Sequence, residues 1–425
     1  MTWAAGRSAW ELNPSNIEGS WLIDHGLVSE RQQTTFTEIP FNHLSQKEET
    51  KKSKKKKKGR RKETAPTMPL KDSYQLPAAA DMHVHLRNAP GPIAQLVTPT
   101  IRQAGVDCVF VMPNLAPRPV VSVAEALEYK RQLQLIDPDV TYLMSLYLHS
   151  SVTLDEIRAA KKAGIAGVKA YPKGATTNSE WGVVSFEPFY EVLATMEEEG
   201  LVLNLHGEAP CSCADGVTVM NAEMKFLPVL KDLAQRFPKL KIVLEHCTSA
   251  DGVAAVKSLG ANVVGTITAH HLALIVDDWS ANVNNYCKPS AKSPEDRRAL
   301  LNALINSNGK FFLGTDSAPH DISAKKGKGN TAAGVFTQPY AISYVLTALE
   351  EALERGDIKD EAAITQETLS GFFSEYGRAF YGVAPATRQV LLKKDGQVIP
   401  ESFKGDGAEI VPFRAGEKTW SVEWL

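Results

Sequence analysis

The sequence predicts an α/β chain folded as a (β/α)8 TIM barrel behind a disordered N-terminal extension. Three observations carry this: eight short β-rich apolar runs, helix-like segments between most of them, and a metal-competent or ionisable residue at the end of run after run. The runs are 78–86 (AAADMHVHL), 107–113 (DCVFVMP), 141–149 (TYLMSLYLH), 167–172 (GVKAYP), 201–208 (LVLNLHGE), 241–247 (KIVLEHC), 262–272 (NVVGTITAHHL) and 311–320 (FFLGTDSAPH). Near-continuous apolar strands read as buried on both faces, the pattern of parallel strands covered by helices. Eight β/α units over about 240 residues match the usual size of such a barrel, roughly 250. A doubly wound open sheet is the main structural competitor, but no GxGxxG follows the first run.

In chain order, residues 1–67 show no sustained periodicity and end in a lysine-rich run, KKSKKKKKGRRK at 51–62. Like charges packed so closely repel one another and bury no apolar area to offset chain entropy, so disorder is expected there. Ten of the 47 Lys and Arg residues fall in that run; the remaining 37 face 49 acidic residues, so the rest of the chain carries −12 while the whole carries −2. Two readings of the run stay open. It is either a nuclear-import or nucleic-acid patch, or a solvated, dispensable tail, even one upstream of a true start at Met68. The folded domain is expected over 68–425.

Helical character lies between the runs in SVAEALEYKRQLQLI (122–136), TLDEIRAAKKAG (153–164), FEPFYEVLATMEEEG (186–200) and SPEDRRALLNALINSNG (293–309). Several of these open on a Ser or Thr that can cap a helix and close on Gly. Further helix is expected in ISYVLTALEEALERG (342–356) and ETLSGFFSEYGRAFYG (367–382). The Gly- and Pro-punctuated tail over 386–425 is expected to pack on the barrel as extra strands or loops.

Composition narrows the class. With 43% hydrophobic and 23% charged residues, the chain has the make-up of a soluble globular protein. Five cysteines (Cys108, Cys211, Cys213, Cys247, Cys287) make an odd number at no zinc-ribbon or disulfide-framework spacing, which favours free thiols in a reducing compartment. There is no apolar run long enough to span a bilayer, and MTWAAGRSAWELNPS has neither a signal core nor Arg-rich transit character. A cytoplasmic protein is expected, with nuclear import through 51–62 as the alternative.

The run ends carry the chemistry. The first closes on His83-Val84-His85, the fourth holds Lys169, the fifth His206, the sixth His246 and the eighth Asp316. In a barrel these strand ends converge on one rim, where catalytic groups of this fold sit. Strand alternation puts His83 and His85 on one face, so two imidazoles can grip one ion. Each histidine alone also fits a hydrogen-bonded core residue, but four with a carboxylate on one rim suit zinc. Lys169 is the odd member, because an ammonium among cation ligands is costly to desolvate. Three readings remain for it: it snorkels to solvent, it binds a substrate anion, or its amine has reacted with carbon dioxide to give a carbamate that bridges two metals.

DMHVHLR (81–87), MPNLAP (112–117), VKAYPKGATTNS (168–179), LHGE (205–208), LEHCTS (244–249), TITAHHL (266–272) and GTDSAPHDISAKK (314–326) together resemble the dihydroorotases, in the subgroup of short monofunctional bacterial and fungal enzymes. The resemblance covers residues 70–420 and leaves 1–67 without a counterpart. It implies an amidohydrolase-type barrel with two zinc ions per subunit. His83, His85 and Asp316 would hold one, His206 and His246 the other, and N6-carboxylated Lys169 would bridge them. It further implies that Arg87, Asn114 and His320 bind a substrate carboxylate, to which a planar guanidinium is well matched.

Thr176 and Thr177 match the family's mobile loop that closes over substrate, while Lys288 and Ala333 lie where relatives touch the substrate ring through the backbone. His149, His270 and His271 read as structural. The implied activity is reversible cyclisation of N-carbamoyl-L-aspartate to (S)-dihydroorotate in pyrimidine biosynthesis, with Asp316 as general base and then acid, in a homodimer. Dihydropyrimidinases, hydantoinases and allantoinases share the metal skeleton without needing the carboxylate clamp. A non-catalytic scaffold is disfavoured because every expected ligand remains.

Overall fold

Eight parallel strands follow one another around a sheet in sequence order: Ala79–Val84, Val106–Val111, Thr141–Tyr147, Gly167–Ala170, Val202–His206, Lys241–Glu245, Val263–Ile267 and Phe311–Leu313. All eight expected runs are thus barrel strands. The structure is a computed structural model that describes residues 70–326 and 331–425. The extension 1–67, with its lysine run at 51–62, lies outside the described residues.

Local sequence explains the covering helices. Ser122 opens Val123–Ile136 with a capping box to Glu125, Thr153 caps Leu154–Lys162, and Ser293 opens Pro294–Ile305 with a capping box to Asp296 and Pro at the first position. Gly200 closes Tyr190–Glu199 in the left-handed conformation, φ 66°, and Gly356 does the same for Ala341–Arg355, φ 74°. The expected helix over 367–382 is broken in the middle. Gln366–Ser370 runs into a π-turn at Gly371–Glu375 and then into Tyr376–Tyr381. A Cβ on Gly371 would press on the end of the Tyr376 ring, so glycine avoids crowding at this bulge.

That broken helix floors the barrel. Ala80, Met82, Cys108, Phe110, Val202, Val243, Val264 and Phe312, drawn from six strands, form one apolar cluster separate from the larger core outside the sheet. Phe380 and Tyr381 cover it, with ring centroids 5.9 Å from Phe312 and 5.0 Å from Phe110 respectively. Ser374 Oγ donates to the Ala78 carbonyl at 2.7 Å, and Arg378 pairs with Asp107, so the plug is fastened at the strand N-termini. The opposite, C-terminal rim is left for polar groups.

The tail supplies strands, as expected, but it recruits one that sequence reasoning missed. Ser73–Pro77 pairs antiparallel with Gln389–Val398, which in turn pairs with Lys418–Trp424. Ser73–Pro77 is five residues long and ends in proline, and its partner lies at the other end of the chain. No local pattern reveals such a strand.

No helix among the described residues is long and apolar enough to cross a membrane. Truncating a side chain of the barrel interior tests the packing directly. Phe312→Ala empties a fully enclosed site and is expected to lower stability by about 3–5 kcal/mol in urea denaturation; a loss under ~1 kcal/mol would mean the interior collapses freely around it.

Candidate active site

The barrel seam builds the first half of the site. The Asp316 amide donates to the His83 carbonyl and the His85 amide to the Ser317 carbonyl, each at 2.9 Å, joining the end of the first strand to the segment after the eighth. Beneath them, the Asp81 carboxylate accepts from the Thr315 amide at 2.7 Å, the Thr315 hydroxyl at 2.6 Å and the His83 amide at 3.2 Å. Burial pushes the Asp81 carboxyl up to about 6 despite these donors. The result is a triad: Asp316 Oδ1 lies 3.3 Å from His83 Nε2 and 3.1 Å from His85 Nε2.

The second half comes from the middle strands. His206 and His246 have ring centroids 4.7 Å apart, and His246 lies 5.0 Å from His83. Lys169, on the fourth strand, has 0% exposure, and its Nζ has no hydrogen-bond partner; it sits 5.1 Å from the Tyr171 ring centroid. The snorkelling alternative is therefore excluded. All six residues expected at the rim converge on one buried volume.

Backbone strain marks the same place. Arg87, His246 and Asp316 have positive φ, at 62°, 42° and 48°. Left-handed conformations cost non-glycine residues on the order of 1–3 kcal/mol and concentrate at functional sites. Here they turn side chains inward just where the strands end.

The electrostatics suit a cation. Burial lowers His85 to about 4 and holds His206 and His246 below the ordinary imidazole range, so these rings are neutral near pH 7. Burial alone would raise Asp316, but the His83 and His85 rings beside it outweigh that and keep the carboxylate ionised. Burial also brings the Lys169 amine down to about 8. Buried polar atoms are ordinarily paired. Here His83 Nε2, His246 Nδ1 and Lys169 Nζ are all buried without partners, beside an ionised carboxylate. Imidazoles plus carboxylate form a donor set that fits zinc, so the residues present fit a metal centre.

The cavity above this cluster is lined by His83, His85, Arg87, Asn114, Tyr171, Thr176, Thr177, His206, His246, Lys288, Asp316, Ala318, Ala333 and Gly334. Every expected site residue but Lys169 and His320 is on that list. Lys169 is buried below, and His320 lines the adjoining mouth with His85, Arg87, Asn114 and Thr177. Arg87 Nε donates to the Pro319 carbonyl at 2.8 Å, and its Nη2 lies 3.1 Å from His320 Nε2. That same Nε2 lies 3.0 Å from the Ala333 carbonyl. One ring nitrogen accepts from the guanidinium or donates to the carbonyl, not both. The Asn114 amide donates to the Thr177 carbonyl at 3.2 Å, and Asn178 donates to the Asn114 carbonyl at 3.0 Å, which ties the threonine loop to the cavity wall.

A family model described as amidohydrolase matches residues 143–316. A probable dihydroorotase of Schizosaccharomyces pombe is 48% identical over 355 residues, covering 83% of this chain and 99% of that protein. The chain belongs to the dihydroorotase family. The dihydroorotase of Saccharomyces cerevisiae is 44% identical over 81% of this chain and 96% of its own length. A crystal structure of dihydroorotase in complex with 5-fluoroorotic acid, also from S. cerevisiae, superposes with a TM-score of 0.77 at 42% identity, covering 83% of this chain and 99% of that one. An L-hydantoinase from Arthrobacter aurescens shares the fold, with a TM-score of 0.66 at 19% identity over 82% of this chain and 84% of its own. The chain is thus an amidohydrolase enzyme of dihydroorotase kind.

Three residues outside the expected site set support this dihydroorotase-family site. Glu245, fully buried, accepts from His83 Nδ1 at 2.9 Å, from Asn204 Nδ2 at 2.6 Å and from the Thr266 hydroxyl at 2.6 Å; Asn204 also reaches the floor through the Tyr381 hydroxyl. A proton held on Nδ1 leaves the His83 Nε2 lone pair directed at the cavity chemistry. Asp81 is the second. Both are lone acids inside apolar strand runs, a signal that composition offers and periodicity hides.

Lys325 is the third. Its Nζ donates to the carbonyls of Tyr286, Ala332 and Gly334 at 3.0, 3.1 and 2.7 Å, gathering the segments that carry Lys288 and Ala333. Lys325→Met removes charge-assisted bonds worth on the order of 1.5–3 kcal/mol. Hydrogen exchange of the Ala332 and Gly334 amides should then quicken about tenfold or more; unchanged protection would show that the lysine does not hold this segment.

Proposed function

We propose that this enzyme interconverts N-carbamoyl-L-aspartate and (S)-dihydroorotate, with a binuclear zinc centre on the barrel rim. The observation that carries the reading is the union, in one cavity and its adjoining mouth, of a buried cluster of metal-competent donors with the Arg87, Asn114 and His320 group that matches a substrate carboxylate. Hydantoin and dihydrouracil rings have no carboxylate to engage that group. The S. cerevisiae relative crystallised with 5-fluoroorotic acid supports an acidic substrate.

His83, His85 and Asp316 would hold one zinc ion and His206 and His246 the other, with carboxylated Lys169 between them. Bound there, the ions would supply a water acidic enough to ionise near neutral pH and polarise the amide carbonyl. Carboxylation suits Lys169 because its amine is buried, unpaired and eased toward the neutral form that attacks carbon dioxide. It also replaces a misplaced positive charge with an anion.

The chain's own residues then divide the work. Arg87 pairs with the substrate carboxylate through its planar fork, and Asn114 and His320 donate beside it. Thr176 and Thr177 hydrogen-bond the seated substrate and help exclude water, while Lys288 and Ala333 meet the ring through backbone groups. In the hydrolytic direction, Asp316 takes the proton of the attacking water as the C–O bond forms. It delivers that proton to the ring nitrogen as the C–N bond breaks. In the biosynthetic direction the same carboxylate works in reverse.

Residues 68–425 form the catalytic domain in this reading, and the resemblance supports a homodimer. Five free cysteines support a reducing, cytoplasmic setting, with the lysine run at 51–62 as an import or nucleic-acid element. Turnover of dihydroorotate, dihydrouracil and hydantoin on metal-quantified protein tests the substrate. Dihydroorotate should be strongly preferred, and Asp316→Asn should lower kcat by about 100-fold or more. Preference for hydantoin, or an Asp316→Asn enzyme near the parent rate, would contradict the proposal.

A further inference from the structure

A second set of metal-competent donors is buried and shares no residue with the rim centre. His270 and His271 lie in the turn after the seventh barrel strand, and Cys287 immediately precedes Lys288. One donor atom from each lies within 4.8 Å of the others. All three residues are buried, at 0 or 1% exposure.

Their hydrogen bonding is incomplete. Neither ring nitrogen of His270 has a partner, nor has His271 Nδ1. His271 Nε2 and Cys287 Sγ converge on the Pro289 carbonyl, at 3.0 and 3.2 Å, and lie 3.6 Å from each other. A structural histidine in a core spends at least one ring nitrogen on a neighbour, and His270 spends none. Burial keeps both imidazoles neutral, with their lone pairs available, and keeps the thiol protonated.

We propose that His270, His271 and Cys287 form a further metal site, for a borderline-soft divalent ion of the zinc class. Two imidazoles and a thiolate are the donors such an ion selects, with a fourth position left for water. On binding, the Cys287 thiol releases its proton to solvent, a metal–sulfur bond forms, and each imidazole contributes a lone pair; no electron is transferred. The ion would tie the turn after the seventh strand to the segment presenting Lys288 at the cavity. The structural role that sequence assigns to His270 and His271 thereby becomes a metal-dependent one, and the inference stands whether or not dihydroorotate is the substrate.

Sulfur makes the site separable from the rim, whose donors are nitrogen and oxygen. The full chain carrying Cys211→Ser and Cys213→Ser, which removes the two exposed thiols, would be stripped by chelation and titrated with Co2+. A thiolate-to-cobalt charge-transfer band in the near ultraviolet is expected, with one more cobalt per chain than in the same protein also carrying Cys287→Ser. Both the band and the additional ion should be lost in Cys287→Ser and in His270→Gln, with the rim's visible cobalt absorption retained. No charge-transfer band in the folded parent at saturation, or a band that survives Cys287→Ser, would overturn the proposal. Because the parent alone can give the negative result, instability of a variant does not protect the idea.

Discussion

The site depends on how the barrel closes. Its eighth strand contributes only three residues, Phe311–Leu313, too few to complete a ladder with the first. Closure falls instead to the segment beyond it, where Asp81 accepts from Thr315 twice and the backbones of His83, His85, Asp316 and Ser317 exchange hydrogen bonds. The same bonds that shut the barrel bring the two seam histidines within about hydrogen-bond reach of Asp316. Closing the barrel and assembling the donor triad are therefore a single event.

Around that seam the protein concentrates unpaired polarity. Three imidazoles are held neutral by burial, one carboxylate is held ionised by the histidines beside it, and a lysine amine is enclosed with nothing to bond. Such an arrangement is expensive for a folded chain on its own and becomes favourable once cations occupy it. The hydrogen-bonded chain from Tyr381 through Asn204 and Glu245 to His83 shows how the apolar floor and the polar rim are mechanically joined.

Much of this is legible in the sequence because barrel strands are short, locally encoded and end in the functional residue. His83, His85, His206, His246 and Asp316 could be read as one rim once eight runs were counted, and Lys169 was conspicuous as a cation among them. Ser122, Thr153 and Ser293 announced their helices. What stayed hidden depends on partners far along the chain. Ser73–Pro77 is a strand only because Gln389–Val398 lies beside it. Glu245 matters through neighbours that no spacing rule connects, and the inward turn of Arg87, His246 and Asp316 is set by a left-handed backbone that L-residues seldom adopt. The π-turn at Gly371–Glu375, where Gly371 sits against Tyr376, is likewise invisible in a helical pattern.

The proposed chemistry requires Lys169 to be buried as a carbamate between two cations and not as an ammonium. Electron density at its Nζ, in crystals of active, metal-loaded enzyme, tests this most directly, since intact mass measurement loses so labile a group. Planar density extending from Nζ and bridging two metal peaks is the expected result. An unmodified amine in such a crystal would contradict the claim.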